Sequence, residues 1–254
     1  MNYQSFLKDG TLCWTLTSNG YKYLTWNFVK HWQQACPSVP LLVICADRQS
    51  YSFLQRESIP CRLVEQVVQD FGPQIVPFGS RQFSTLNRLK LDLLSKFTKD
   101  SDVKTCIYID GDICVYKNFL EDIQKRLDSC PVLFQCDEKE RDCSSTTNPE
   151  LLCSNVCTGF VVFRHGIQDI FKITDEQVWR QRPEDQVWVN QVLARSNILF
   201  ESLPRELYPN GARVSLTKSS KELSDAAFLL HYNYRVGDIK KADMKRFKDW
   251  LLPY

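Results

Sequence analysis

The stretch Ser84–Tyr116, STLNRLKLDLLSKFTKDSDVKTCIYIDGDICVY, carries two hydrophobic periods in succession. Leu86, Leu89, Leu93, Leu94 and Phe97 recur at near-helical spacing, which predicts a helix over Ser84–Phe97. Lys104–Ile109 is then a short apolar run, the pattern of a buried strand, and it ends on Asp110-Gly111-Asp112.

Working upstream, Gly10–Thr17 reads as a first strand and Tyr21–Gln34 as an aromatic-rich helix. Val39–Ala46 reads as a second strand after the Cys36-Pro37 break. Ser50–Glu57 suggests a short helix, and Arg62–Val68 and Gln74–Phe78 read as strands or extended links. Downstream, Ile113–Tyr116 resumes as a strand, and Asn118 can cap a helix over Phe119–Leu127. Val132–Gln135, Thr158–Arg164 and Phe228–Tyr232 are further strands, with helices expected over Pro183–Arg195 and Asp243–Leu251. The alternation predicts an α/β, Rossmann-like domain: a mostly parallel central sheet with helices on both faces. The polar segment Asp137–Pro149 is expected to be a loop over a site.

Composition narrows the function classes. A chain of 254 residues, 43% hydrophobic, can bury the core of one α/β domain, and no internal repeat divides it. Thirty-two basic against thirty acidic residues leave a net charge of +2, so electrostatics makes no case for nucleic acid or an anionic membrane. The opening MNYQSFLKDGTLCW has no secretory apolar run, and no later segment approaches the roughly 18 apolar residues of a membrane span. Most of the eleven cysteines are expected to be reduced core residues in a reducing compartment. Cys130, Cys136, Cys143, Cys153 and Cys157 form a looser group that could hold zinc, although none of their gaps is C-x₂-C.

The chemistry concentrates on Asp110-Gly111-Asp112. Residues i and i+2 of an extended segment face one side, so the two carboxylates can converge on one ion, while Gly111 lets a ligand approach the backbone. Their place at the carboxyl end of a strand is where open α/β sheets bind ligands. The same tripeptide also serves as a polar turn. Hard oxygen ligands suit Mn²⁺ or Mg²⁺, which can bridge diphosphate oxygens. Of three histidines, His31 lies beside Trp32 in the aromatic helix and His165 precedes Gly166 in a turn. His231 closes the apolar run AAFLL and opens HYNYRVGDIKK, where Gly237 frees the backbone and Lys240 or Lys241 can reach a phosphate.

With these residues the chain resembles GT-A-type glycosyltransferases of the nucleotide-diphospho-sugar transferase superfamily, closest to the retaining families that include glycogenin, bacterial galactosyltransferases and the plant and protist family 77 enzymes. The resemblance implies a metal held by Asp110, Asp112 and His231, with Arg88 and Lys90 near the diphosphate. LTSNGYKYLTW resembles the first nucleotide-binding loop, implying roles for Thr17, Asn19 and Tyr21 at the base or ribose. FQCD, ending at Asp137, resembles the segment contacting sugar hydroxyls. CTGFVVFR, with Gly159, resembles the family's Asn-Ser/Thr-Gly-Phe strand, although Cys157 stands where many relatives have Asn. EDQVWVN resembles the block that puts Asp185 and Gln186 beside the reacting sugar, and YPNG, Tyr208–Gly211, another recurring block.

What the resemblance implies is transfer of a hexose, from UDP-glucose or UDP-galactose, to a glycan or protein-linked acceptor with retention of configuration. Same-face substitution and a double displacement through Gln186 or Asp185 both remain open. Two competing readings are a haloacid-dehalogenase-type phosphohydrolase, which also places Asp-x-Asp after a strand, and a nucleotide-sugar-binding module without catalysis. The expected organisation is one catalytic domain over residues 1–254, its nucleotide-binding half ending near residue 112 and its acceptor and metal-completing half following. The lack of an apolar anchor leads to the expectation of a cytoplasmic enzyme, bacterial or virus-encoded and acting in host cytoplasm, and the opening Met and compact length to that of a complete chain. The aromatic region near Trp179 and Trp188 is a candidate acceptor wall, with core packing the competing role.

Overall fold

The strand that ends in the paired carboxylates is Thr105–Ile109 (β5), and the rest of the architecture is arranged around it. The computed structural model describes residues 2–64, 70–137, 155–212 and 225–253. In chain order the elements before β5 are Leu7–Lys8 (β1), Thr11–Thr17 (β2), Lys22–Ala35 (α1), Leu42–Cys45 (β3), Arg48–Arg56 (α2), Cys61–Leu63 (β4) and Arg81–Thr98 (α3). After it come Ile113–Val115 (β6), Leu120–Leu127 (α4), Val132–Cys136 (β7), Val156–Arg164 (β8), Glu176–Gln181 (α5), Asp185–Arg195 (α6), Glu201–Leu203 (β9), Leu229–His231 (β10) and Asp238–Arg246 (α7).

The main sheet runs β4-β3-β2-β5-β8-β7-β9, with β1 paired to β2 as a short antiparallel edge. β2 is parallel to both β3 and β5, and β3 to β4. β8 is the antiparallel exception, lying between β5 and β7, while β7 and β9 are again parallel. Helices cover both faces. On one, Leu91, Leu94 and Phe97 of α3 and Trp188 and Val189 of α6 pack with Leu12, Trp14 and Tyr108. On the other, Phe28 and Trp32 of α1 and Ile123 of α4 pack with Cys13, Ile107 and Phe160. β2, β3, β5 and β8 are buried nearly throughout, on both sides, as strands between helix layers are.

Local starts and stops explain most boundaries. The Ser80 hydroxyl accepts the Phe83 N–H at 3.1 Å and so begins α3 a turn before the apolar periodicity does. The Asp47 carboxylate accepts the Ser50 N–H at 2.7 Å and caps α2. Asn118 was expected to cap α4, but the cap position is Phe119, without a side-chain cap, and Asn118 Oδ1 instead accepts the Leu120 N–H at 3.0 Å from one residue earlier. The bounds of one expected helix need correction. The last helix is Asp238–Arg246 rather than Asp243–Leu251, because Gly237, at φ 59°, turns the chain into it. Gln74–Phe78 is irregular, and residues 65–69 lie outside the described residues. α5 and β9 were not anticipated at all.

Trp179 and Trp188 are buried against each other, centroids 6.5 Å apart, so they belong to the core and not to a ligand wall. Eight cysteines are free and buried, among them Cys45, Cys106 and Cys114 as expected, whereas Cys136 is disulfide-bonded. Cys143, Cys153 and residues 138–149 of the expected loop lie outside the described residues. No helix among the described residues is long and apolar enough to cross a membrane.

Candidate active site

The chain leaves β2 toward β3 and β4 on one side, then returns through α3 to place β5 on the other. This reversal opens a crevice beyond the carboxyl ends of β2 and β5, the position where α/β sheets bind ligands. A cavity of about 840 Å³ occupies it, within the size range of small-molecule sites. Thr17 and Tyr21 line one end together with the apolar side chains Ile75, Val76, Phe83 and Leu86. Asp110, Asp112, His231 and Lys240 line the middle, and Asp137, Asp185, Gln186 and Asn190 the far end.

His231 reaches the carboxylates through a second, two-stranded sheet. β10 pairs antiparallel with β6, setting His231 directly opposite Ile113, and the Tyr232 N–H donates to the Asp112 carbonyl at 3.1 Å. Nε2 of His231 then lies 3.3 Å from Asp112 Oδ1 and 3.7 Å from Asp110 Oδ2. One ligand atom from each of Asp110, Asp112 and His231 can be chosen so that all lie within 4.8 Å of one another, and no cysteine joins a comparable group among the described residues. Of the cysteines in the looser group, Cys130 and Cys157 are free and buried, Cys136 is disulfide-bonded, and Cys143 and Cys153 lie outside the described residues. Gly159 closes the cluster from β8. A Cβ there would meet His231 Cε1 at 2.1 Å and Asp110 Oδ2 at 2.7 Å, so only glycine leaves the space. Two carboxylates and one imidazole fit a divalent ion of the manganese or magnesium class.

Charge in the cluster is balanced from within. Lys240 ion-pairs with Asp112. Burial acts against the ionised Asp112, but Lys240 and His231 hold its carboxyl well below the usual range. Burial likewise disfavours a charged His231 ring, yet Asp112 and Cys157 beside it bring the pKa up to about 10. Lys90 of α3 joins this cluster to the far end of the cavity, its Nζ 2.6 Å from Asp185 Oδ2 and 3.5 Å from Asp110 Oδ1. Asp185 also accepts from the Thr158 hydroxyl at 2.8 Å, and Tyr108 donates to Asp110. Desolvation opposes charge on both Lys90 and Asp185, but the facing partners hold the lysine pKa up and the Asp185 pKa down. Burial raises the Asp137 pKa, against the hydrogen bond from Gln186 Nε2 at 2.7 Å.

The profile of nucleotide-diphospho-sugar transferases matches residues 39–244, most of the chain and every strand and helix that builds the metal cluster. The chain belongs to that family. The transferase shares its fold with a solved galactosyltransferase, LgtC, in complex with donor and acceptor sugar analogues (TM-score 0.58, 12% identity, 94% of each chain covered). It also resembles mouse xyloside xylosyltransferase 1 (TM-score 0.53, 11% identity, 88% of this chain and 98% of that one). A third likeness is to the glycosyltransferase GlyE of Streptococcus pneumoniae (TM-score 0.54, 12% identity, 95% of this chain and 61% of that one). At such identities the likeness is one of fold, the GT-A fold. No curated protein sequence matches the transferase. Family membership displaces the phosphohydrolase reading: this is a nucleotide-sugar glycosyltransferase with a candidate metal site.

Of the residues singled out in the sequence, the transferase brings Thr17, Tyr21, Lys90, Asp110, Gly111, Asp112, Asp137, Gly159, Asp185, Gln186, His231 and Lys240 to one cavity. Four lie off it. Asn19 is held by protein partners, its N–H donating to Asp47 at 2.7 Å and its side chain to the Phe71 carbonyl at 3.0 Å. Arg88 makes a two-pronged ion pair with Glu176 on the surface. Gly237 begins α7, and Lys241 Nζ sits 4.7 Å from the Trp250 ring centroid. Gly111 has a structural duty besides any ligand, since a Cβ there would meet Thr25 Oγ1 of α1 at 2.5 Å. Sequence reasoning missed Asn87, one position before Arg88, along with Tyr108, Thr158 and Asn233. Tyr108 could have been found, because it alternates with Asp110 along β5 and so shares its side.

Proposed function

We propose that the transferase moves a hexose, glucose or galactose, from its uridine diphosphate donor to a hydroxyl of a glycan or protein-linked acceptor, with Mn²⁺ or Mg²⁺ bound and with retention of configuration. The observation that carries this reading is the convergence of Asp110, Asp112, His231 and Lys240 midway along one cavity. A diphosphate bridging that point would send its nucleoside toward Tyr21 and the apolar wall, and its sugar toward Asp137, Asp185 and Gln186. The ion, when bound, neutralises charge on the leaving diphosphate. Lys240, paired with Asp112 in the cavity, would present its ammonium to a phosphate oxygen of the donor.

Both carboxylates at the sugar end are already engaged: Asp185 by Lys90 and Thr158, and Asp137 by the amides of Gln186, Asn155 and Asn233. Neither carboxylate is free to form a glycosyl bond, so a double displacement would have to run through Gln186, and we take same-face substitution as the reading to test. The acceptor oxygen bonds to the anomeric carbon as the phosphate oxygen departs, and that oxygen takes the acceptor proton. Residues 1–254 act as one catalytic unit in this reading, the first half binding nucleotide and the second supplying the acceptor side. The buried free cysteines suit a reducing, cytoplasmic setting, and the disulfide at Cys136 stands against it.

The test is a thermal-denaturation panel of nucleotide sugars with and without Mn²⁺, followed by turnover on the best binder. UDP-glucose or UDP-galactose at a hundred times its Kd is expected to raise Tm by on the order of 5–10 °C only with the ion present. A donor that binds but is neither transferred nor hydrolysed would instead support the non-catalytic module. No shift with any uridine nucleotide would overturn the donor assignment.

A further inference from the structure

Gln135 is completely buried on β7, two residues before Asp137. A register irregularity between Phe134 and Gln135 sets it opposite Cys157 of β8. Its amide nitrogen donates to two main-chain carbonyls, Tyr208 at 3.0 Å and Pro209 at 2.9 Å. Carbonyls only accept, so the amide cannot be turned over without setting oxygen against oxygen. Its own oxygen must therefore point the other way, where it meets Nδ1 of His231 at 2.7 Å.

An amide oxygen at that distance accepts, which places a hydrogen on Nδ1. A neutral imidazole carries one N–H and one lone pair, and holding the hydrogen on Nδ1 leaves the lone pair on Nε2. Nε2 is the nitrogen that faces Asp112 and Asp110. The Cys157 sulfur, 3.6 Å from Nδ1, already receives the Gly159 N–H at 3.4 Å and offers a weak second acceptor on the same side. The His231 main-chain N–H donates to the Pro209 carbonyl at 3.1 Å, so backbone and side chain of the histidine are both referred to one loop through Gln135.

We propose that Gln135 is the positioning residue of the metal centre: it takes the Nδ1 hydrogen of His231 and presents Nε2 as a neutral donor to an ion held by Asp110 and Asp112. This rests on the metal-dependent reading above. Partners of this kind orient a ligating histidine and fix its tautomer, and losing one weakens metal binding about 10–100-fold.

The experiment titrates Mn²⁺ by electron paramagnetic resonance into wild type and Gln135→Met, each alone and with UDP, with circular dichroism as the check on folding. The folded variant is expected to bind Mn²⁺ 10–100-fold more weakly. In parallel, ¹⁵N NMR of histidine-labelled, Mg²⁺-loaded wild type reads the tautomer, a simple spectrum because the chain has three histidines. His231 is expected to carry its hydrogen on Nδ1. Unchanged Mn²⁺ affinity in a folded variant, or a hydrogen on Nε2 in the loaded wild type, would overturn the proposal. Should Gln135→Met not fold, the wild-type spectrum decides alone. Wild type that binds no Mn²⁺ under either condition would sink the metal reading and this proposal with it, a result distinguishable because it needs no variant.

Discussion

The Lys90 ammonium lies 2.6 Å from the Asp185 carboxylate, both side chains almost wholly buried, and it ties α3 to the start of α6 while also reaching Asp110. Removing one partner of such a pair strands the other charge in a dry site, which costs about 3–5 kcal/mol. Lys90→Met is therefore expected to lower the unfolding free energy measured by urea titration by an amount in that range. Lys90→Met with Asp185→Leu should recover much of the stability while leaving kcat near zero, because the sugar end of the cavity has lost its polar frame. Equal stability of the single and double variants would contradict this account.

At the metal cluster, Asp110→Asn and Asp112→Asn are expected to remove the Mn²⁺ dependence of donor binding and to cut kcat/KM by at least about 100-fold. A subtler variant is sharper. Gly159→Ala inserts a methyl group where 2.1 Å separates it from His231 Cε1 and 2.7 Å from Asp110 Oδ2. Isothermal calorimetry should find Mn²⁺ binding much weakened while circular dichroism stays that of the wild type. Full activity of any of the three in manganese would remove Asp110, Asp112 and His231 from the metal role.

The pH behaviour follows from His231, whose pKa burial would lower but Asp112 and Cys157 raise, from 6.5 to about 10. A group whose folded pKa exceeds its unfolded value stabilises fully below the unfolded value, and that contribution is lost as pH climbs through the folded one. Metal-free protein should therefore lose stability between pH 6.5 and about 10, and His231→Asn should flatten that slope in urea titrations. An ion must displace the Nε2 proton, so Mn²⁺ affinity should climb about tenfold per pH unit in the lower part of this window. A pH-independent affinity would show that the ring is already neutral.

Adjacent lysines give an internal control. Lys240 faces Asp112 within the cavity, whereas Lys241 lies against Trp250. Replacing Lys240 by Met should raise the donor KM about 10–100-fold, the worth of a hydrogen bond to a charged group. Lys241→Met and Arg88→Met, both off the cavity, should leave donor KM within about twofold, as expected for surface charges. Steady-state kinetics with the donor varied would expose a reversal of the two lysines.

The lysine pair also marks how far the sequence could be read. Successive helical residues diverge by about 100°, so choosing Lys240 over Lys241 requires the phase of the helix. That phase was hidden because α7 buries only Lys240 and Met244, too few positions to register as a period. Where burial is dense the pattern was plain: β5, β8 and α3 were read nearly to their ends from apolar spacing alone. The pairing of His231 with Ile113 joins distant segments and leaves no local signature, so the sequence marked His231 as a candidate ligand without showing what carries it to the carboxylates. Asn19 was read as a ligand contact because polar loop residues look alike until their partners are seen, and here Asp47 and Phe71 take them. Gln135 was missed as a support for the histidine because its service depends on two carbonyls from the Tyr208–Pro209 turn, far along the chain.

The small β6–β10 ribbon has a kinetic meaning. Asp110 and Asp112 arrive together on one turn, but the third ligand reaches them only after β10 has docked. Until then a metal ion meets a two-carboxylate site open to water, from which it leaves easily. Once the ribbon zips, binding energy for the ion becomes energy that keeps the ribbon shut. An ion held by all three residues would thus report that β10 has paired with β6.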